Sequence, residues 1–227
     1  MPRLLEYQLR FIDLALAQNA LKFGSFRLKS GRESPYFFNA GLFSEGAAIG
    51  ALGRCYADAI VHSGLAFDMI FGPAYKGIPL ATALVISLCV HHGRSVPYAF
   101  NRKEAKDHGE GGLIVGAPLK GRVLIIDDVI TAGTAIRESV QLIRAAGAQP
   151  AGVALALDRQ ERGQETGEAK PRSAVQELEA AEGIRCVSVV TLADLIEALS
   201  RPGTGPARIS ADQLTSLRAY RDRYGVT

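Results

Sequence analysis

The sequence predicts an α/β protein, a central parallel sheet flanked by helices, preceded by an N-terminal helix and a β-hairpin. Three observations predict it. From Asp68 onward, short apolar runs without polar alternation recur between helical stretches, the pattern of parallel strands buried on both faces. Before Asp68, Leu5, Leu9, Ile12 and Leu16 repeat at helical spacing, and two β-rich runs flank a Gly/Ser/Pro cluster. The chain has 227 residues, 48% of them hydrophobic, which suits one α/β core with modest additions.

The elements follow in order. An amphipathic helix covers the first twenty residues or so, and a hairpin joins Phe26–Lys29 to Tyr36–Asn39 across Ser30-Gly31-Arg32-Glu33-Ser34-Pro35. Ser44 and Glu45 start a helix that ends at Ser63-Gly64. Strands are expected at Asp68–Gly72, Val96–Phe100, Arg122–Asp127, Ala151–Leu157 and Cys186–Val190. Helices are expected at Ile78–Val90, Thr134–Ala146, Ser173–Ala181, Leu192–Leu199 and Ala211–Tyr220. Asn101–Gly112 and Arg159–Arg172 are polar and Gly-containing, and are expected to be loops.

Composition excludes several classes of function. The net charge of +3 gives no bulk attraction to nucleic acid or to an acidic membrane surface. The N-terminus has no uninterrupted apolar stretch of the secretory kind, and the longest weakly polar run, Gly77–Val90, is too short to span a bilayer. A cytoplasmic protein is the expectation. Cys55, Cys89 and Cys186 are far apart and odd in number, so they read as small buried apolar residues rather than a disulfide framework. His62, His91 and His92 sit near helix ends as capping or surface groups, with no cluster spaced for zinc.

The segment richest in chemistry is Val123-Leu124-Ile125-Ile126-Asp127-Asp128-Val129-Ile130-Thr131-Ala132-Gly133-Thr134. An apolar strand ends in two carboxylates, and a short loop then feeds a helix. Ligands of open parallel sheets bind beyond the carboxyl ends of the strands, where a helix N-terminus offers free N–H groups to a phosphate. Thr131 and Thr134 add hydroxyl donors, and Gly133 lets the backbone approach closely. Asp127 and Asp128 repel phosphate, so they suit ribose hydroxyls or a metal ion. Neither a G-x-x-x-x-G-K-[ST] loop nor a G-x-G-x-x-G fingerprint is present.

Asn101–Gly112 holds seven ionisable side chains and three glycines, with Ala105 its one apolar residue. Arg102, Lys103, Lys106 and His108 would be drawn to a polyanion and would close over it, while Glu104, Asp107 and Glu110 keep the open segment near neutral. Cations set against a departing diphosphate lower its barrier, and more so once water is excluded.

The Asp-Asp-Val-Ile-Thr-Ala-Gly-Thr run resembles the phosphoribosyl diphosphate (PRPP) signature of type I phosphoribosyltransferases, and Asn101–Gly112 is similar to the catalytic loop of bacterial orotate phosphoribosyltransferases. The resemblance extends over nearly the whole chain and implies the type I phosphoribosyltransferase fold. It implies a single domain over 1–227, with a hood from about 1–43, a core from about 44–200 and a C-terminal helix from about 210–223. It also implies transfer of ribose 5-phosphate from PRPP to orotate in pyrimidine synthesis, with Mg2+ as cofactor, held mainly by PRPP. By the match Lys106 is the main catalytic cation, Arg102, Lys103 and His108 contact the diphosphate, and Asp127 and Asp128 belong to the catalytic set. PRPP would be bound by these and by Lys29, Tyr75, Lys76, Val129, Ile130, Thr131, Ala132, Gly133, Thr134 and Ala135. Orotate would lie against Phe37 and Phe38, with Thr131 touching both ligands and Arg159 holding the carboxylate. A guanidinium fork suits a planar carboxylate, and aromatic walls suit a flat base, although strand alternation makes ordinary hairpin core an equal reading for one Phe. The resemblance further implies a homodimer in which each lid reaches the neighbouring active site. Gln164–Arg172 is longer than the usual connection in that family.

Two other readings stay open at this point. One is a transferase of the same fold acting on a purine or uracil. The other is a PRPP-binding transcriptional regulator, which would be expected to carry a DNA-binding module and a degraded lid. The hairpin in place of a helix-turn-helix, and the intact lid, weigh against the regulator.

Overall fold

The computed structural model describes residues 4–28, 31–106, 112–131, 133–165, 168–201 and 209–226. Its centre is a six-stranded sheet of order β10-β7-β6-β3-β4-β5, in which β3 (Met69–Gly72), β4 (Tyr98–Lys106), β6 (Arg122–Asp127), β7 (Gln149–Asp158) and β10 (Arg185–Thr191) run parallel. The sixth strand, β5 (Gly112–Gly116), is an antiparallel edge on β4 that the sequence reading had not anticipated. β4 runs six residues beyond Phe100, so the first half of the expected loop at Asn101–Gly112 is strand. Apart from Ala105 the residues beyond Phe100 are polar, because they run past the end of β3 and pair with the edge strand β5 alone, where no buried face imposes apolar alternation.

Alternate residues of each central strand point to opposite faces. Ile70, Leu124, Ile126 and Ala154 join a layer with α1 (Glu6–Ala17), α2 (Gly46–Ser63), α3 (Gly77–His92), α6 (Leu192–Ser200) and α7 (Ala211–Tyr224). Met69, Phe71, Val123, Ile125, Val153 and Leu155 face the other way, onto α4 (Thr134–Ala145) and α5 (Ala174–Glu182). Capping boxes start α5 at Ser173/Gln176, α6 at Thr191/Asp194 and α7 at Ser210/Gln213, each satisfying amides that would otherwise lack partners.

The N-terminal hairpin pairs β1 (Leu21–Arg27) with β2 (Glu33–Phe38), and a register irregularity lies between Phe23 and Phe26. The first strand starts five residues before the sequence suggested, because Gly24-Ser25 masked its pattern. A second hairpin, β8 (Arg162–Glu165) with β9 (Glu168–Ser173), occupies much of the expected loop at Arg159–Arg172. Cys55 is buried and Cys186 half-buried, and burial pushes both thiols up to about 12. Cys89 is exposed on α3, against the expectation that all three cysteines are buried.

Candidate active site

Because β3, β4, β6 and β7 are parallel, the residues that follow them meet at one edge of the sheet. Four segments carrying the predicted site residues arrive there: 73–77 after β3, the continuation of β4, 128–134 after β6 and 159–161 after β7.

The turn after β6 is fixed from several sides. The Asp127 carbonyl accepts the Tyr56 hydroxyl at 2.8 Å, and the Asp128 carbonyl accepts the Ala156 and Leu157 amides at 3.0 and 3.2 Å. Each carboxylate also accepts the following amide, Asp127 Oδ1 from Asp128 and Asp128 Oδ1 from Val129, both at 2.9 Å. Asp128 is 5% exposed, and its Oδ2 meets Lys76 Nζ at 2.6 Å. Burial, then the neighbouring charge of Asp128, pushes the Asp127 carboxyl up to about 7. Gly133 caps α4 with φ of 70°, a left-handed backbone that a side chain rarely adopts. Thr131, Thr134 and Ala135 are exposed at the mouth of this turn, whereas Ile130 is buried beneath it and Val129 half-buried. Ala132 lies outside the described residues.

The turn after β3 is held equally close. A Cβ on Gly72 would lie 2.2 Å from the Gly77 carbonyl oxygen, so strand end and helix start touch through bare backbone. The Ala74–Tyr75 peptide bond is cis, and the Ala74 amide donates to Asn101 Oδ1 of β4 at 2.9 Å. A Lys at the start of a helix is disfavoured by the dipole unless an anion answers it. The buried Asp128 carboxylate answers Lys76. Tyr75 is 67% exposed, with Lys103 Nζ 4.8 Å from the ring centroid.

On β4, Arg102 is half-buried, and its Nη1 donates to the Gly112 carbonyl on β5 at 3.3 Å. Lys106 is the last residue of the strand; its side chain, His108 and Lys29 lie outside the described residues.

After β7, Arg159 and Glu161 are ion-paired at 2.7 Å, and the guanidinium stands 4.9 Å from the Tyr36 ring centroid. Tyr36 is fully buried, and its hydroxyl donates to Glu161 Oε1 at 3.2 Å. Burial, more than any neighbouring charge, raises the Tyr36 hydroxyl well above the usual tyrosine range. The hood is thereby tied to the sheet edge, and Arg32 Nη1 adds a bond to the Arg162 carbonyl at 2.8 Å. The two phenylalanines separate as strand alternation requires. Phe37 is 41% exposed and stacks on Phe26 at 5.6 Å, whereas the Phe38 ring is committed to the core against Phe11 and Phe43. Only Phe37 of the pair therefore offers a ring to a ligand. Tyr36, Ser34, Glu161 and Asn101 had no role in the sequence reading, although all four lie inside segments singled out there; Tyr56 lies outside them. Their partners are set by the tertiary fold, and no motif spacing encodes them.

Two cavities border these segments without containing Asp127 or Arg159. One, of about 930 Å³, lies between the hairpin and α7 with Ser34 and Tyr220 among its walls; the other, of about 320 Å³, runs beside Lys76 and Glu45.

Comparison with known proteins places this arrangement in context. Residues 44–170 match the family model described as a phosphoribosyl transferase domain. The chain is 60% identical to the orotate phosphoribosyltransferase of Thioalkalivibrio sulfidiphilus, a match covering 97% of this chain and 99% of that one. It is 58% identical to the same-named protein of Edwardsiella ictaluri, over 97% of this chain and 99% of the relative. Among solved structures, the orotate phosphoribosyltransferase of Francisella tularensis superposes with a TM-score of 0.83 at 40% identity, covering 95% of this chain and 98% of that one. The Mycobacterium tuberculosis orotate phosphoribosyltransferase in complex with PRPP gives a TM-score of 0.60 at 25% identity, over 83% and 98% of the two chains. With the cradle after β6, the Lys-bearing turn after β3 and Arg159 after β7 all at one sheet edge, and with these relatives matched along nearly their full length, the chain belongs to the orotate phosphoribosyltransferase family.

Proposed function

We propose that this chain transfers ribose 5-phosphate from PRPP to orotate, yielding orotidine 5′-monophosphate and pyrophosphate in de novo pyrimidine synthesis. The observation that carries the reading is the convergence of a phosphate cradle, a diphosphate-side lysine and a braced arginine on one sheet edge. The hydroxyls of Thr131 and Thr134 and the amides that open α4 receive the 5′-phosphate, as helix N-termini do. Ribose hydroxyls donate to Asp127 and Asp128, which relieves the mutual repulsion of these carboxylates. Tyr75, Lys76, Arg102 and Lys103, joined by Lys29, Lys106 and His108, face the diphosphate. They stabilise it as the bond from the anomeric carbon to oxygen breaks and the leaving group takes the electron pair. A ring nitrogen of orotate forms the new bond to that carbon and gives up its N–H proton, which leaves with the diphosphate. Arg159 pairs with the base's carboxylate, the Phe37 ring covers it, and Thr131 touches both substrates.

The two adjacent carboxylates suit a Mg2+ ion of which PRPP holds the larger share, as magnesium sites with few protein ligands do. When bound, it would neutralise charge on the diphosphate. A homodimer is part of the proposal. Val61 on α2 and Ile86, Cys89 and Val90 on α3 are exposed on two helices packed side by side, the kind of apolar surface an identical partner covers. Action in the cytoplasm accords with three free cysteines. No helix among the described residues is long and apolar enough to cross a membrane.

The test incubates purified protein with PRPP and Mg2+ and, in turn, orotate, uracil, adenine and hypoxanthine. Orotate is consumed with release of pyrophosphate, and a chelator stops the reaction. Consumption of a different base with orotate untouched would overturn the substrate, and full turnover in chelator would remove the metal.

A further inference from the structure

The surroundings of Arg159 hold more than a cation awaiting a ligand. Its Nε and Nη2 both point at one oxygen, Glu161 Oε1, at 2.8 and 2.7 Å. The Tyr36 hydroxyl donates to the same oxygen at 3.2 Å, and Ser34 Oγ lies 3.5 Å from Nη2. The side chains of Arg159 and Glu161 are 14% and 13% exposed, so this is an interior pair with little freedom. The Tyr36 ring supports one face of the guanidinium. Among the described residues Nη1 has no hydrogen-bond partner and Nη2 has, besides Glu161, only the long contact to Ser34 Oγ, so the Nη1/Nη2 edge is the less committed side of the fork. The Glu161 backbone is itself pinned: it bridges to Gly225, and the Val226 amide donates to the Gln160 carbonyl at 2.9 Å.

We infer that Glu161 is a positioning residue for substrate recognition: it holds the Nε/Nη2 edge of Arg159 so that the Nη1/Nη2 edge is presented, already oriented, to the carboxylate of the incoming base. This rests on the reading of Arg159 as the carboxylate-holding residue. The physical reason is preorganisation. An arginine that must order its four side-chain torsions on binding gives up much of its rotamer freedom, and a fork fixed beforehand does not. A second carboxylate beside the first would be repelled by Glu161 unless it approached from the far edge, so the brace also selects the direction of approach. Glu161 touches Arg159 and Tyr36 and need not touch the substrate.

The experiment compares wild type with Glu161→Gln, which keeps size and one acceptor oxygen but removes the charge that draws both donors. With saturating Mg2+, the KM for orotate is expected to rise about tenfold, while the KM for PRPP stays within about twofold and kcat changes little. A merely structural role would move both KM values together and lower the melting temperature. An orotate KM that is unchanged or lower would overturn the inference, and a lower value would mark Glu161 as a competitor for Arg159. If Glu161→Gln does not fold, Tyr36→Phe keeps the ring and removes one of the donors to Glu161. A rise of about two- to threefold in orotate KM alone is then expected, and no rise would overturn the brace. Wild-type protein that consumes PRPP but ignores orotate would instead sink the substrate assignment itself, which separates the two failures.

Discussion

In the proposed reaction the turn after β6 and the strand pair β4 and β5 would serve one ligand by opposite means. The first is fastened by a tyrosine from α2, two amides from β7 and a lysine from the neighbouring turn. The second stands at the outer edge of the sheet, with Lys103, Glu104 and Gly112 exposed and Leu113 38% exposed. What is recognised in every state of that reaction, the phosphate and the ribose, would be met by fixed backbone and carboxylates. What gains further charge as the bond breaks, the leaving group, would be met by side chains on the least enclosed strand pair. On that reading affinity and turnover reside in different regions, and variants should separate them.

The largest effect tests that division directly. Lys106→Ala is expected to cut turnover by about a hundredfold or more, the scale for one group that stabilises a transition-state charge, with an unchanged melting temperature. Near-normal turnover would put the hairpin outside the chemistry and collapse the contrast.

A medium effect sharpens the other side. Asp127 is a carboxyl whose folded value, about 7, lies above its ordinary 3.8. The folded protein therefore keeps a proton that the unfolded chain has released, and the associated stabilisation is full below about 3.8 and lost as pH rises through about 7. Between pH 5 and 8 the empty protein should lose on the order of 1–3 kcal/mol from this source, and Asp127→Asn should flatten that part of the slope. Equal slopes for the two proteins, measured by thermal unfolding across pH, would remove Asp127 as the cause.

The smallest effect concerns the fastening itself. Tyr56→Phe deletes the bond to the Asp127 carbonyl and should lower stability by about 1 kcal/mol while raising the KM for PRPP a few-fold and leaving that for orotate alone. A shift in orotate KM instead would show that the cradle and the base end are not independent.

Legibility from sequence followed the same division. The strand Arg122–Asp127 and the helix start at Thr134 fall where the sequence put them, because a buried parallel strand must be apolar and must end where its carboxylates leave the core. The continuation of β4, the edge strand β5 and the pair β8 and β9 carry no clear strand pattern in the sequence. They are polar or glycine-flanked, with pairing decided by neighbours rather than by a buried face. Leu113-Ile114-Val115 was the available signal for β5, hidden behind Gly111-Gly112. In the site, Asp127, Asp128, Lys76 and Arg159 could be picked out because their segments carry a motif. Strand alternation announces that Phe37 and Phe38 part, though not which of them faces the core. The Lys76–Asp128 pair across 52 positions and the grip of Glu161 on Arg159 after β7 are set by the fold, and no motif records them.

The bridge from Gly225 to Glu161 and the amide of Val226 on Gln160 lash the segment that follows α7 to the loop that carries Arg159. Whatever is appended or trimmed beyond α7, an affinity handle, a fusion partner or a frayed terminus, therefore pulls on the base end and not on the phosphate end. Handles added at the opposite terminus, ahead of α1, avoid that lever.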